Sequence, residues 1–227
     1  MTTPALLAIS HGSASAEGQA AIRRLVDAVA ERLPEAVVRL GHVDVQQPDV
    51  GASLDALAEG EPVIIVPLLL SAGYHVRVDL RQQSAGREGI TITDALGPDP
   101  RLVDILVDRL GPLGDADALV LAVAGSSDER ANDDCRAIGA MLGERLRREV
   151  TVGFLAAADP RLGAAVTQAA SSGGRVVVAN YLLAPGYFHD LAVRLAAGAP
   201  VARPLLEDAE PPASLVDIVV DRYLAAV

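Results

Sequence analysis

The chain is one α/β unit written twice. His11-Gly12-Ser13 falls on Ala124-Gly125-Ser126, Glu31-Arg32-Leu33 on Glu144-Arg145-Leu146, Gly73-Tyr74 on Gly186-Tyr187, and Leu102-Val103-Asp104-Ile105 on Leu215-Val216-Asp217-Ile218, all at an offset of 113 residues. Between the second and third anchors the register slips by one, so that Gly41 and Pro48 match Gly153 and Pro160. A duplication confines the chain to two copies of one arrangement, packed as pseudo-symmetric lobes with a cleft between them.

Within each copy, runs rich in Val, Ile and Leu alternate with helix-length segments, the pattern of a parallel sheet covered by helices on both faces. The pattern predicts strands at Ala5–Ile9, Val37–Val45, Val63–Leu70, Ile90–Thr93, Ala118–Val123, Val150–Leu155, Val176–Tyr181 and Val201–Pro204. Helices are expected at Glu17–Leu33, Val50–Ala58, Arg101–Leu110, Ala131–Arg148, Leu162–Ala170, Leu191–Ala197 and Ala213–Ala226. The expected fold class is therefore α/β, with two duplicated lobes, each a four-stranded parallel sheet flanked by helices. Gly111-Pro112-Leu113-Gly114-Asp115 reads as the linker, which divides the chain into an N-terminal lobe, residues 1–113, and a C-terminal lobe, residues 114–227.

Two histidines sit where apolar runs stop. Ala5–Ile9 ends in Ser10-His11-Gly12-Ser13, and Val63–Leu70 ends in Ser71-Ala72-Gly73-Tyr74-His75. If both runs are strands of one parallel sheet, the two imidazoles meet at its carboxyl edge, where open α/β sheets bind ligands. A neutral imidazole binds first-row divalent metals and is also a base near neutral pH, so a metal site and a proton-transfer site are both open readings. The second copy carries Ala124 and Phe188 at these positions, which assigns the chemistry to the first lobe. Asp44, at the end of the second strand, is a candidate third ligand. His42 reads as structural, and its replacement by Phe154 in the second copy suits a packing role.

Composition narrows the function classes. The chain has 227 residues, 51% of them hydrophobic, and its 30 acidic residues against 19 basic ones leave a net charge of −11. That balance argues against a nucleic-acid partner and requires any anionic ligand to be met by locally placed arginines. Every basic residue is arginine, so Schiff-base chemistry and lysine-containing phosphate loops are excluded. The single cysteine, Cys135, excludes an intrachain disulfide and a cysteine-rich metal cluster; it reads as a buried helix residue in a cytoplasmic protein. No apolar run is long enough to span a bilayer, and no membrane partner is expected.

Around His75 lie Tyr74, Arg77, Arg81 and Arg87, with the small residues Ser71, Ala72 and Gly73 on the other side. Small residues let a flat ligand approach the backbone, and arginines fork onto carboxylates. Tyr74, Tyr181, Tyr187 and Phe188 all fall near corresponding strand ends, which predicts an aromatic-lined cleft suited to a planar macrocycle. Gly125-Ser126-Ser127 reads as a turn and helix cap, Gly97-Pro98-Asp99-Pro100 as a turn into a helix, and Glu207-Asp208-Ala209-Glu210-Pro211-Pro212 as a solvated connection.

These residues resemble the sirohydrochlorin chelatase family, the class II chelatases that insert cobalt or ferrous iron into sirohydrochlorin on the way to cobalamin or siroheme. The likeness rests on Ser10-His11-Gly12-Ser13, on Asp44 four residues before Pro48, on Leu69-Leu70-Ser71-Ala72-Gly73-Tyr74-His75-Val76 followed by Asp79, and on Leu96-Gly97-Pro98-Asp99-Pro100-Arg101-Leu102. It covers both copies, as in the long, two-lobed members. The family often has glutamate where this chain has Asp44. The resemblance implies that His11 and His75 hold the metal, that His11 also accepts pyrrole protons, and that Leu70, Ser71, Ala72, Gly73 and Tyr74 seat the tetrapyrrole. Tyr187 would line the opposite wall, and Arg77, with Arg81 and Arg194 as further candidates, would hold substrate carboxylates. The divalent metal, Co2+ or Fe2+, is then a substrate, no organic cofactor is needed, and the duplication takes the place of a homodimer, so a monomer is expected. Two other readings use the same residues: a non-catalytic tetrapyrrole or metal carrier, and a metal-dependent hydrolase.

Overall fold

Every residue of the first strand, β1 (Ala5–Ser10), is buried, because β1 lies at the centre of its sheet and is covered on both faces. The computed structural model describes residues 3–57, 60–71, 80–171 and 173–227. In the first lobe β1 is followed by α1 (Ala16–Arg32), β2 (Val38–His42), α2 (Val50–Asp55), β3 (Val63–Pro67), β4 (Ile90–Ile92) and α3 (Pro100–Leu110). The second lobe runs β5 (Ala118–Val123), α4 (Glu129–Leu146), β6 (Val150–Phe154), α5 (Leu162–Ala170), β7 (Val176–Tyr181), α6 (Tyr187–Leu195) and α7 (Ala213–Leu224). The sheet orders are β2-β1-β3-β4 and β6-β5-β7, and every pairing is parallel.

Strand alternation divides the apolar residues between layers. Leu6 and Ala8 of β1 and Leu119, Leu121 and Val123 of β5 face one continuous core that also takes in α1, α3, α4 and α7, so the four helices lie between the two sheets. Ala5, Leu7 and Ile9 face outward onto α2, while Val120 and Ala122 face outward onto α5 and α6. Pairing of α1 with α7 and of α3 with α4 joins the lobes through this shared core.

Local chemistry starts the helices where the turns require. Ser15 caps α1 by accepting from the Gly18 N–H, and Asp99 caps α3 by accepting from the Arg101 N–H, with Pro100 in the first turn where its missing N–H costs nothing. Asp128 caps α4, and Ser126 Oγ accepts from its N–H, so Gly125-Ser126-Ser127 is a turn leading into a cap.

Three expectations need correction. The second sheet has three strands among the described residues, and the predicted strand Val201–Pro204 contributes a single bridge between Val178 and Val201. Pro204 has no N–H to extend the ladder, and the chain turns so that Leu205 and Leu206 donate instead to the Leu182 and Leu183 carbonyls. Helix α6 begins at Tyr187, four residues before the predicted start. Glu207 is not solvated: its carboxylate pairs with Arg109 and Arg203 and its side chain is 16% exposed. No helix among the described residues is long and apolar enough to cross a membrane.

Candidate functional site

The first turn of each lobe is built the same way. Val43 and Asp44 donate their N–H groups to the carbonyls of Ser10 and His11 at 2.9 and 3.0 Å, and Leu155 and Ala156 donate to Val123 and Ala124 at 2.9 Å each. The residue after His11 must be glycine: Gly12 has φ +95°, and a Cβ there would stand 2.0 Å from the Asp44 carbonyl oxygen. Gly125, at φ +84°, stands in the same relation to Ala156. The backbone frame is thus common to both lobes, and the side chains on it differ. His11 and Asp44 occupy neighbouring strand ends in the first lobe; Ala124 and Ala156 occupy them in the second.

His11 is exposed at the carboxyl end of β1 and its imidazole has no hydrogen-bond partner among the described residues. Asp44 is also exposed, and its Oδ1 accepts from the Val45 N–H at 2.7 Å, while its Oδ2 has no hydrogen-bond partner among the described residues. Beneath this edge lies a buried polar pair. Ser10 Oγ and His42 Nδ1 are 2.8 Å apart, and both residues are nearly inaccessible. The Gly12 N–H donates to Ser10 Oγ at 3.2 Å, which ties the buried pair to the turn that follows His11. Burial, then the nearby Arg23 charge, lowers the pKa of His42 below its ordinary 6.5 and keeps the ring neutral. The corresponding pair in the second lobe is apolar, Val123 and Phe154. Ser10 belongs to the Ser10-His11-Gly12-Ser13 motif, and its bond to His42 is a contact that the motif alone does not show.

The second lobe closes on this edge at three points. Tyr181 Oη donates to the Leu70 carbonyl oxygen at 3.1 Å, and Cys135 Sγ lies 4.0 Å from Ser71 Oγ. A Cβ on Gly186 would lie 3.3 Å from Ser13 Oγ, and one on Gly18 would strike the Pro185 carbonyl oxygen at 2.3 Å, so α1 and the loop before α6 meet through backbone. Leu68 donates to the Ile9 carbonyl at 2.7 Å, which carries the segment after β3 alongside His11.

Of the residues singled out in the sequence, His11 and Asp44 meet in one turn, Leu70 and Ser71 follow the strand beside β1, and Tyr187 starts the helix whose preceding loop approaches Ser13. Ala72, Gly73, Tyr74, His75 and Arg77 lie outside the described residues. Among those described, no three His, Cys, Asp or Glu side chains converge as a metal cluster. Tyr187 is 70% exposed, its ring 5.7 Å from that of Phe188, with the Arg194 guanidinium 5.9 Å above it. Tyr181 departs from the expected aromatic lining: it is 2% exposed and belongs to the core between the lobes. Cys135 is buried on α4 as expected, and burial, only partly offset by Ser71, pushes its thiol up to about 11.

Two parallel α/β lobes packed together through a shared helical core define a chelatase-type architecture. The CbiX family matches residues 5–113 and again residues 118–225, and the chain belongs to that family, the sirohydrochlorin chelatases. The sirohydrochlorin cobaltochelatase of Sulfolobus acidocaldarius is 28% identical over 109 residues, which span 46% of this chain and 87% of that protein. Among solved structures, SirB from Bacillus subtilis with Fe3+ has a TM-score of 0.76 at 20% identity, covering 97% of this chain and 94% of its own. SirB from Bacillus subtilis subspecies spizizenii in complex with cobalt has a TM-score of 0.75 at 17% identity, covering 98% and 94%. At those identities the structural likeness speaks for the fold.

Proposed function

We propose that the protein inserts a divalent metal, Co2+ or Fe2+, into sirohydrochlorin in cobalamin or siroheme biosynthesis. The observation that carries this reading is the asymmetry of two otherwise equivalent turns. An exposed imidazole with no hydrogen-bond partner among the described residues and a carboxylate stand on one, and two alanines stand on the other.

Insertion exchanges two pyrrole N–H protons for one divalent cation, so the site must deliver a metal and accept protons. One imidazole nitrogen cannot do both at once. His11 and His75 hold the incoming ion with Asp44 as a third contact; His75 retains it while His11 lets go and takes a proton from the ring. Incomplete coordination suits this transfer, since a closed four-ligand site would not give the ion up. Leu70 to Tyr74 form the seat of the macrocycle, Arg77 holds a carboxylate side chain, and Tyr187 lines the wall contributed by the second lobe. Residues 1–113 then carry the chemistry, and residues 114–227 complete the cleft.

The test follows the visible spectrum of sirohydrochlorin mixed with Co2+ or Fe2+ and the protein without oxygen. Wild type is expected to accelerate insertion over the spontaneous rate, and His11→Ala and His75→Ala each to lose roughly 10²-fold or more. Spectral binding with no acceleration would show a carrier and overturn the catalytic reading.

A further inference from the structure

Arg23 on α1 and Arg136 on α4 are the same position of the repeated unit, yet their surroundings are opposite. Arg136 Nη1 donates to Glu129 Oε1 at 2.5 Å and to Asp133 Oδ1 at 2.8 Å, and its guanidinium lies 5.4 Å from the centre of the Phe154 ring. Those three partners correspond to Ala16, Ala20 and His42 in the first lobe. Arg23 is exposed and makes no ion pair with any described residue. Where the two carboxylates would stand there is an open hollow of about 390 Å³, lined by Ala16, Gln19, Ala20, Arg23, Arg24 and Asp27.

Arg24 and Gln19, on the same lining, have partners elsewhere. Arg24 pairs with Asp208 and donates to the Glu207 carbonyl, and Gln19 Nε2 donates to the Ser13 carbonyl at 2.7 Å. Asp27 supplies the one carboxylate of the lining, one helical turn beyond Arg23. Arg23 is thus the exposed cation of the lining that has no ion pair among the described residues, in a chain of net charge −11. The hollow starts at Ala16, the first residue of α1 and five residues after His11, and Arg23 lies about 10 Å farther along the helix axis. The hollow therefore begins beside the edge that carries His11.

We propose that Arg23 binds a peripheral carboxylate of the tetrapyrrole, in a subsite that exists in the first lobe because Ala16 and Ala20 replace the acidic partners kept in the second. This rests on the chelatase reading and names a substrate contact within it. Arg23 binds away from the reacting nitrogens, so it contributes to affinity and leaves the chemical step alone.

The experiment compares Arg23→Ala, Arg23→Lys and the double variant Ala16→Glu/Ala20→Asp, with Arg136→Ala as the second-lobe control. The double variant restores the ion pairs that α4 already accommodates, so it is compatible with the helix. Metal-free sirohydrochlorin binding is read by absorbance titration, alongside KM and kcat for cobalt insertion. Arg23→Ala and the double variant should each raise Kd and KM roughly three- to tenfold with kcat unchanged, Arg23→Lys should recover part of the loss, and Arg136→Ala should bind as wild type. Unchanged Kd in both Arg23→Ala and the double variant, with a wild type that binds, overturns this inference alone. A wild type that binds no sirohydrochlorin overturns the chelatase reading and this one together. Inorganic phosphate is the remaining arm: Arg23-dependent phosphate binding that leaves sirohydrochlorin affinity untouched would mark a site for a free anion and overturn the substrate assignment.

Discussion

The Tyr181 hydroxyl of the second lobe donates to the Leu70 carbonyl oxygen of the first across 3.1 Å, in a place where neither group meets bulk water freely. Gly97 permits the approach, since a Cβ there would stand 2.2 Å from Tyr181 Oη and 2.4 Å from the Leu70 oxygen. Tyr181→Phe should lower stability by about 1–2 kcal/mol, because a partly buried carbonyl loses its partner. Gly97→Ala should cost about 2–3 kcal/mol, since one of the groups it meets is backbone and cannot swing away. Urea denaturation of the three proteins checks both, and a Gly97→Ala protein as stable as wild type would contradict the packing described.

Gly12→Ala and Gly125→Ala should be destabilising to a similar degree, about 2–4 kcal/mol each, because both place a Cβ 2.0 Å from a carbonyl oxygen at a positive φ. Their functional effects should separate. Gly12→Ala displaces the backbone that joins His11 to Asp44 and should weaken Co2+ binding by calorimetry, while Gly125→Ala, next to two alanines, should leave the affinity of the folded protein unchanged.

Asp99 makes a pH-dependent contribution to stability. Burial raises its pKa, but hydrogen bonds and charge from Arg101, with the Arg222 charge, outweigh burial and hold the carboxyl below the ordinary 3.8. A carboxyl with a depressed folded pKa adds stability above its unfolded value and loses it as pH falls through the folded one. Asp99→Asn keeps an oxygen for the α3 cap but loses the charge facing Arg101. The variant should therefore be less stable than wild type at pH 7, and the gap should narrow as pH drops below 3.8. A gap independent of pH would refute the ion-pair account.

Cys135 should be inert until the lobes open. Its thiol is 4% exposed and pushed up to about 11, so almost no thiolate forms at neutral pH and reagent cannot reach it. Labelling by a chromogenic disulfide at pH 8 should follow the unfolding rate and speed up in step with urea. Fast labelling in the native protein would mean that α4 does not pack against Ser71 as described.

Much of the fold is legible in local pattern. Strands β5 and β7 and helix α5 match their predicted limits, and the α3 start at Asp99-Pro100 follows from cap chemistry alone. The start of α6 was not legible, because Gly186-Tyr187-Phe188 carries no side-chain cap and the turn is set by contact with Ser13 of the other lobe. Within the candidate site, the doubled motif pointed to His11 and Asp44. It misplaced Tyr181, whose burial depends on a carbonyl far away in sequence.

Hydrophobic period and internal repetition are properties of the string of residues, so the sequence by itself determined that this protein is two parallel α/β lobes and which turns differ between them. Which charges are paired, which aromatic rings are buried and which glycines are obligatory was decided by the tertiary structure alone. Those properties depend on groups tens of residues apart meeting within a few ångströms. Arg23 and Arg136 show the difference: they are one residue in the alignment of the two copies, and opposite in what surrounds them.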